Sequence, residues 1–108
     1  MSIPITNTPS KDAHLQSSVL RNFFTEQGRL KSLPAQLKKK LIVLEHLAER
    51  MDPGKRYSES EMNAFIRAFH EDYATIRREL YVHRFVNRDR EIYEVNAREE
   101  WRDWANLN

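Results

Sequence analysis

Two adjacent arginines, Arg77 and Arg78, lie in a segment whose apolar residues recur at helical spacing. The apolar face predicts that Arg78 and Thr75 project away from the core and that Arg77 lies at its margin. Arginine binds the edge of guanine through paired hydrogen bonds and also binds phosphate. The pattern therefore favours contact with nucleic acid. The alternative is that one arginine pairs with Asp72 or Glu61 and locks two helices together.

Two further pairs of basic residues stand at points where nucleic acid is often bound. Lys55 and Arg56 precede a helix whose free N–H groups suit a phosphate. Arg88 and Arg90 flank the tip of a predicted hairpin, where basic residues typically meet phosphate or the minor groove. For each pair, an ordinary solvated surface is the alternative. The residues predicted to contact nucleic acid are Lys55, Arg56, Thr75, Arg77, Arg78, Arg88 and Arg90.

The distribution of charge agrees with an anionic partner. The chain has 18 basic and 16 acidic residues, a net charge of +2. Residues 29–90 carry 14 basic and nine acidic side chains, a net charge of +5, whereas residues 91–108 carry a net charge of −3. A basic middle segment with an acidic tail suits an anionic partner, of which double-stranded DNA is one; the alternative is that the charged helices are simply solvated.

Catalytic and metal-binding constellations are missing from the sequence. There is no cysteine, and the only glycines are Gly28 and Gly54, which excludes a glycine-rich phosphate loop. The four histidines fall in different segments without metal-ligand spacing, and no serine stands in a nucleophile elbow. We therefore predict a protein that is not an enzyme and uses no cofactor or metal.

Hydropathy bears on location. The longest apolar run, Leu41 to Leu44, is far shorter than the roughly 20 residues that span a bilayer. Residues 1–9 have no basic region followed by an apolar core, as a secretory signal requires. We predict a cytoplasmic protein without a membrane partner.

The elements that must position these residues are mostly helical. The 108 residues suit one domain, predicted at 13–108 after a flexible leader at 1–12. Helices are predicted near residues 14–26 and from Pro34 to about Met51. Ser58 and Glu61 form a capping box that begins the next helix, with Tyr57 and Met62 as its hydrophobic staple.

The spacing of the apolar residues changes in the second half of the chain. Asp72 is a good N-cap for the helix that carries the paired arginines. Residues 85–95, rich in β-branched and aromatic side chains, predict a hairpin that turns at Asp89-Arg90. Residues 29–31 are a candidate third strand, and residues 97–107 a final helix. The side chains predicted to be largely buried are Leu41, Leu44, Phe65, Phe69, Ile76 and Leu80.

This order of elements is that of a winged helix-turn-helix, in a mainly α, α+β chain with helices added at both ends. Trp101 and Trp104 lie in the added C-terminal helix. They either cover Phe23 and Phe24 and enlarge the core, or form a surface for a homodimer or a protein partner, because exposed aromatic residues concentrate at interfaces.

Several short motifs between residues 28 and 93 resemble those of the bacterial family called domain of unknown function 2087. They are Gly28-Arg29-Leu30, Leu33-Pro34, Lys38-Lys39, Tyr57 to Asn63, Asp72-Tyr73-Ala74, Ile76 to Leu80, Arg88 and Tyr93. The resemblance implies a transcription-linked winged-helix module. Two positions depart from the pattern: residues 81–84 replace a stretch that usually ends in glycine, and Arg90 stands where the wing turn often has glycine.

Two functions follow from these observations. The first is a DNA-binding winged-helix module linked to transcription regulation. The second is a winged helix that binds or dimerises with protein and makes no direct contact with DNA. A basic face that joins Lys55, Arg78 and Arg88 would favour the first, and internal pairing of Arg77 or Arg78 would favour the second.

Overall fold

A computed structural model describes residues 11–107, and this range contains four α-helices and a three-stranded antiparallel sheet. The elements are α1 (Lys11–Phe23), α2 (Leu37–Ala48), β1 (Tyr57–Ser58), α3 (Glu59–Arg67), α4 (Tyr73–Val82), β2 (Val86–Asp89), β3 (Ile92–Val95) and a 3₁₀ helix (Arg98–Glu100). The α+β fold class is confirmed. Residues 1–10 of the predicted leader lie outside the described range, and Lys11 and Asp12 belong to α1. Within residues 11–107 no helix has the length and apolar character needed to cross a membrane.

The start of α3 is fixed by side chains that replace missing backbone hydrogen bonds. Ser58 Oγ accepts from the Glu61 N–H at 3.1 Å, and Glu61 Oε1 accepts from the Ser58 N–H at 2.9 Å. Tyr57 and Met62, on either side of this capping box, are both buried. The capping box predicted from sequence is therefore confirmed.

Replacing Ser58 with alanine is expected to lower the free energy of unfolding by about 1 kcal/mol, because the Glu61 N–H loses its acceptor. Urea denaturation of both proteins measures the change. Ser60→Ala is the matched control, since Ser60 is exposed in the same helix. Equal losses in the two variants would contradict a specific role for the cap.

The sheet has the order β1-β3-β2, with Tyr57 opposite Tyr93 and Arg88 also opposite Tyr93. The predicted hairpin at 85–95 is thus present, but the third strand is Tyr57–Ser58. The segment 29–31 does not join the sheet. Leu30 instead forms an isolated bridge with Phe24 across a turn at Gly28, whose φ of +84° suits glycine, and donates its N–H to the Phe69 carbonyl at 2.9 Å.

The core lies between α2, α3, α4 and the sheet. Four of the six side chains predicted to be buried are fully so: Leu41, Leu44, Ile76 and Leu80. Phe65 and Phe69 are only half-buried and stack edge to face at 5.4 Å. The buried face of α3 is centred on Met62 and Ile66, which leaves the two phenylalanines at its rim.

Helix α2 begins three residues after Pro34, at Leu37, so that Lys38, Lys39 and Lys40 occupy its first turn. This is the helix end at which a positive charge is least favourable. An ion pair compensates for one of them, since Lys40 Nζ lies 2.8 Å from a Glu79 carboxylate oxygen on α4. Lys40 therefore joins the second helix to the fourth.

The predicted C-terminal helix is wrong in extent, since only Arg98–Glu100 are helical and Trp101 is extended. Asp103 accepts from the Ala105 N–H at 2.9 Å, a local bond that competes with helix formation. Helical spacing would also place both indoles on one side of the tail. They pack instead against different parts of the fold.

Candidate functional site

Helix α4 holds the paired arginines in fixed positions. Its first turn is capped by Asp72, whose Oδ1 accepts from the Thr75 N–H at 3.4 Å. Ile76 and Leu80 are buried on its inner face. Because neighbouring residues of a helix point about 100° apart, this leaves Arg78 and Thr75 exposed and Arg77 half-exposed, as the sequence predicts.

Arg77 is engaged inside the fold. Its Nη1 donates to Oδ1 of Asn63, which lies on α3. The bond joins the two helices, which is the role the sequence offers as the alternative to nucleic-acid contact. The partner, however, is an amide and neither Asp72 nor Glu61. An uncharged acceptor leaves the positive charge of Arg77 unneutralised.

No hydrogen bond or ion pair reaches Arg78 within residues 11–107, although its positive charge helps to lower the pKa of Glu79. Its neighbour Glu79 faces α2, with one carboxylate oxygen 2.8 Å from Lys40 Nζ and 3.6 Å from His83 Nε2. Partial burial works to raise the pKa of Glu79, but the hydrogen bond and charge of Lys40 outweigh it and the pKa is lowered. Glu79 is therefore an ionised, paired carboxylate, and Arg78 keeps its charge available for a partner.

The hairpin brings Arg88 against α4. The guanidinium carbon of Arg88 lies 5.5 Å from the centre of the Tyr81 ring, and Arg88 Nε donates to the Arg90 carbonyl at 2.9 Å. Tyr81 follows Arg78 by three residues and Arg77 by four, so it lies on the same side of the helix. Arg88 of β2 therefore contacts α4 on the side that carries Arg77 and Arg78.

Tyr93, inside the sheet, is also close to Arg77 and Arg88. Its side chain is fully buried, and its hydroxyl donates to Glu59 Oε1 at 3.4 Å. Burial raises the pKa of Tyr93 and outweighs the positive charges of Arg77 and Arg88, which act to lower it. Both arginines are therefore close to one phenol group.

We call four arginines the arginine face: Arg77 and Arg78, which precede Tyr81 by about one helical turn, together with Arg84 and Arg88. Arg84 belongs to it because it lines one cleft with Tyr81 and Arg88. None of the four arginines forms an ion pair within the described part of the chain.

Lys55 and Arg56 lie apart from the arginine face. They precede β1, which β3 separates from β2, so roughly 10 Å of sheet lies between the two edge strands. Lys55 Nζ is 3.4 Å from a Glu61 carboxylate oxygen and 4.8 Å from the centre of the Tyr57 ring. Lys55 is thus paired at the β1 edge of the sheet, whereas Arg88 lies on the β2 edge.

Arg90 occupies the tip of the hairpin and is exposed. Its φ is +60°, and it is the first residue of a two-residue loop between Asp89 and Ile92. Its side chain points to no partner within residues 11–107, while its carbonyl holds Arg88. Thr75 is exposed one turn before Arg78 on α4.

Both tryptophans pack against the chain itself. Trp104 is 7% exposed, and its indole N–H donates to Glu45 Oε1 on α2 at 3.2 Å. Trp101 is half-buried 5.4 Å from the Phe85 ring and donates to the Asn96 carbonyl at 2.9 Å. Of the two alternatives the structure shows internal packing, although the aromatic partner is Phe85 and not Phe23 or Phe24.

Residues 29–95, more than half of the chain, match the family DUF2087, described as uncharacterized proteins conserved in bacteria. The chain belongs to this family. No curated protein and no solved structure matches it. The DUF2087 match extends from the residue after Gly28 to the end of β3, so the arginine face lies inside it, while α1 and the tail with both tryptophans lie outside.

Arg84 is a member of the arginine face that the sequence analysis did not select. With Phe85 it closes α4 in a Schellman motif: the Phe85 N–H bonds the Leu80 carbonyl at 2.9 Å and the Arg84 N–H bonds the Tyr81 carbonyl at 3.2 Å. Arg84 has a φ of +69°, a conformation that costs a non-glycine residue about 1–2 kcal/mol.

The two departures from the DUF2087 pattern, at Arg84 and Arg90, coincide with the two non-glycine residues of positive φ in the described range. Glycine would adopt both conformations without strain. The chain keeps arginine at both positions. The departure at residue 84 was the sequence feature that could have pointed to Arg84.

Proposed function

We propose that the chain is a non-enzymatic, DNA-binding winged helix-turn-helix module linked to transcription regulation, acting in the cytoplasm. Helix α4 is its recognition helix and the β2–β3 hairpin its wing. The observation that carries the proposal is the exposed Arg78 on α4, which forms no hydrogen bond or ion pair within residues 11–107. It lies on the same side of the helix as Tyr81, whose ring is contacted by Arg88 of the hairpin.

The chemistry of the arginine face suits a duplex. A recognition helix reads base edges with its exposed side chains, and wing residues contact phosphate or the minor groove. Arg78 and Thr75 are exposed on α4, and Arg88 and Arg90 on the hairpin. The nearest acid on the helix, Glu79, is neutralised by Lys40 and does not oppose a phosphate.

The test is binding of a random-sequence DNA duplex by the full chain at two salt concentrations. Each phosphate neutralised contributes about 0.9 to the slope of log K against log salt. Two to four such contacts give a slope of roughly −2 to −4. Detectable binding at low salt with a slope in this range supports the proposal, and the absence of binding at low salt overturns it.

One observation favours the second function, a protein-binding winged helix. Arg77 donates a hydrogen bond to Asn63 and therefore stabilises the packing of α3 against α4. If no duplex binds, analytical ultracentrifugation of the full chain shows whether it dimerises, which is the outcome that the second function predicts.

A further inference from the structure

A cleft of about 570 Å³ lies where the end of α4, strand β2 and the segment 96–100 meet. Arg84 and Arg88 lie on its walls with Tyr81 and two asparagine side chains, Asn87 and Asn96. Its lining is mostly polar. Neither the fold nor the pairing of Arg77 accounts for two arginines at this place.

The backbone of Arg84 is fixed from two sides. The Schellman motif holds its N–H, and Asn96 Nδ2 donates to its carbonyl at 2.9 Å. No hydrogen bond or ion pair reaches its guanidinium group within residues 11–107. The backbone of Arg84 is strained and held in place, and its side chain carries an unpaired charge. This side chain can therefore bind a ligand.

Arg88 is oriented without being neutralised. Its Nε donates to the Arg90 carbonyl and its guanidinium carbon lies 5.5 Å from the centre of the Tyr81 ring, while its two terminal nitrogens have no hydrogen-bond partner in the described residues. A guanidinium group presents a planar fork of donors that matches the oxygens of a phosphate. The cleft therefore contains donors from two arginines, of which Arg88 is oriented by its own side-chain contacts and Arg84 by its backbone alone.

The net charge of the cleft is small and positive. Glu100 is the single acid among the lining residues, against Arg84 and Arg88, so the lining carries a net charge of +1. A phosphodiester carries a single negative charge and balances this lining, whereas a phosphomonoester carries close to two near neutral pH.

We propose that this cleft binds a phosphodiester group through Arg84 and Arg88. The inference rests on the proposed function, because the phosphodiester that a DNA-binding module meets is the duplex backbone. It adds Arg84, a residue at the end of the recognition helix, to the contacts and places a backbone phosphate between that helix and the base of the wing.

The variant Arg84→Gly tests the inference because it should weaken duplex binding without lowering the stability of the fold. Glycine removes the guanidinium group and adopts a φ of +69° without strain, so the midpoint of thermal unfolding should stay the same or rise. Duplex affinity should fall by about tenfold, and the salt slope should become shallower by about one. Arg84→Gln repeats the loss of charge with a side chain retained.

The matched control is Arg21→Gln, which removes the same charge from an exposed position on α1. Its duplex affinity should remain within about twofold of the unsubstituted chain, since Arg21 does not line the cleft and an exposed charge is screened by salt. If Arg84→Gly and Arg84→Gln bind duplex as tightly as Arg21→Gln does, the cleft inference is overturned while the proposed function stands.

A second experiment tests the phosphodiester site if the unsubstituted chain binds no duplex. Dimethyl phosphate, a free phosphodiester, is titrated against the chain with sodium chloride as the ionic-strength control, and NMR follows the arginine side-chain N–H signals. Shifts confined to Arg84 and Arg88, and absent in Arg84→Gly, would keep the phosphodiester site and reject the DNA-binding function. No specific shift would reject both.

Discussion

Replacing Phe85 with alanine is expected to lower the free energy of unfolding by about 3–5 kcal/mol, because the ring is fully buried and its loss leaves a cavity. Phe85 connects three parts of the fold. Its N–H bonds the Leu80 carbonyl at the end of α4, its carbonyl accepts from the Asn96 N–H after β3 at 3.0 Å, and its ring packs on Trp101 of the tail. Such a loss is a large fraction of the roughly 5–15 kcal/mol that stabilises a typical domain.

Urea denaturation followed by circular dichroism measures the change. Val82→Ala is the control, since Val82 lies three residues earlier and is 49% exposed; its expected effect is within about 0.5 kcal/mol. Phe65→Ala should fall between the two, because Phe65 is half-buried. A Phe85→Ala variant that unfolds at the same urea concentration as Val82→Ala would show that the described core is wrong.

The elements predicted correctly are those that short-range chemistry determines. The capping box at Ser58 and Glu61 and the N-cap at Asp72 are complete within four residues, so each helix start could be inferred without knowledge of the rest of the chain. The hairpin at 85–95 follows from a change to β-branched and aromatic residues, although its turn contains no glycine.

The elements missed depend on contacts between distant residues. Strand β1 has only two residues, and Tyr57 becomes a strand because it pairs with Tyr93, 36 positions later. The tail is not a continuous helix because its two indoles bond and pack at Glu45 and Phe85, which lie on different elements. No local periodicity carries this information.

In the candidate site, too, short-range patterns predicted some residues correctly, and contacts between distant residues could not be predicted. Helical periodicity was enough to predict that Arg78 is exposed and that Arg77 lies at the margin of the core. The partner of Arg77 could not be predicted, since Asn63 approaches only when α3 and α4 pack together. Arg84 joins the arginine face because of its backbone conformation, which the sequence indicated only by an arginine in a place where the family pattern has glycine.

Replacing Arg78 and Arg88 together with alanine is expected to weaken duplex binding by about 100-fold, as the loss of two charge-assisted contacts implies. The salt slope should become shallower by up to about two if both residues contact phosphate. Stability should change little. Arg78 forms no hydrogen bond or ion pair within residues 11–107, and the contact of Arg88 with Tyr81 is worth at most about 1 kcal/mol at an exposed site.

Arg77→Ala is the comparison that separates binding from folding. It breaks the hydrogen bond to half-buried Asn63 and should lower the free energy of unfolding by about 1–2 kcal/mol. The two adjacent arginines therefore differ in their expected effects. Arg77→Ala should lower the free energy of unfolding, whereas Arg78→Ala should weaken DNA binding. If Arg78→Ala unfolds the chain while Arg88→Ala binds DNA normally, the arginine face serves the fold, and the protein-binding function becomes the better explanation.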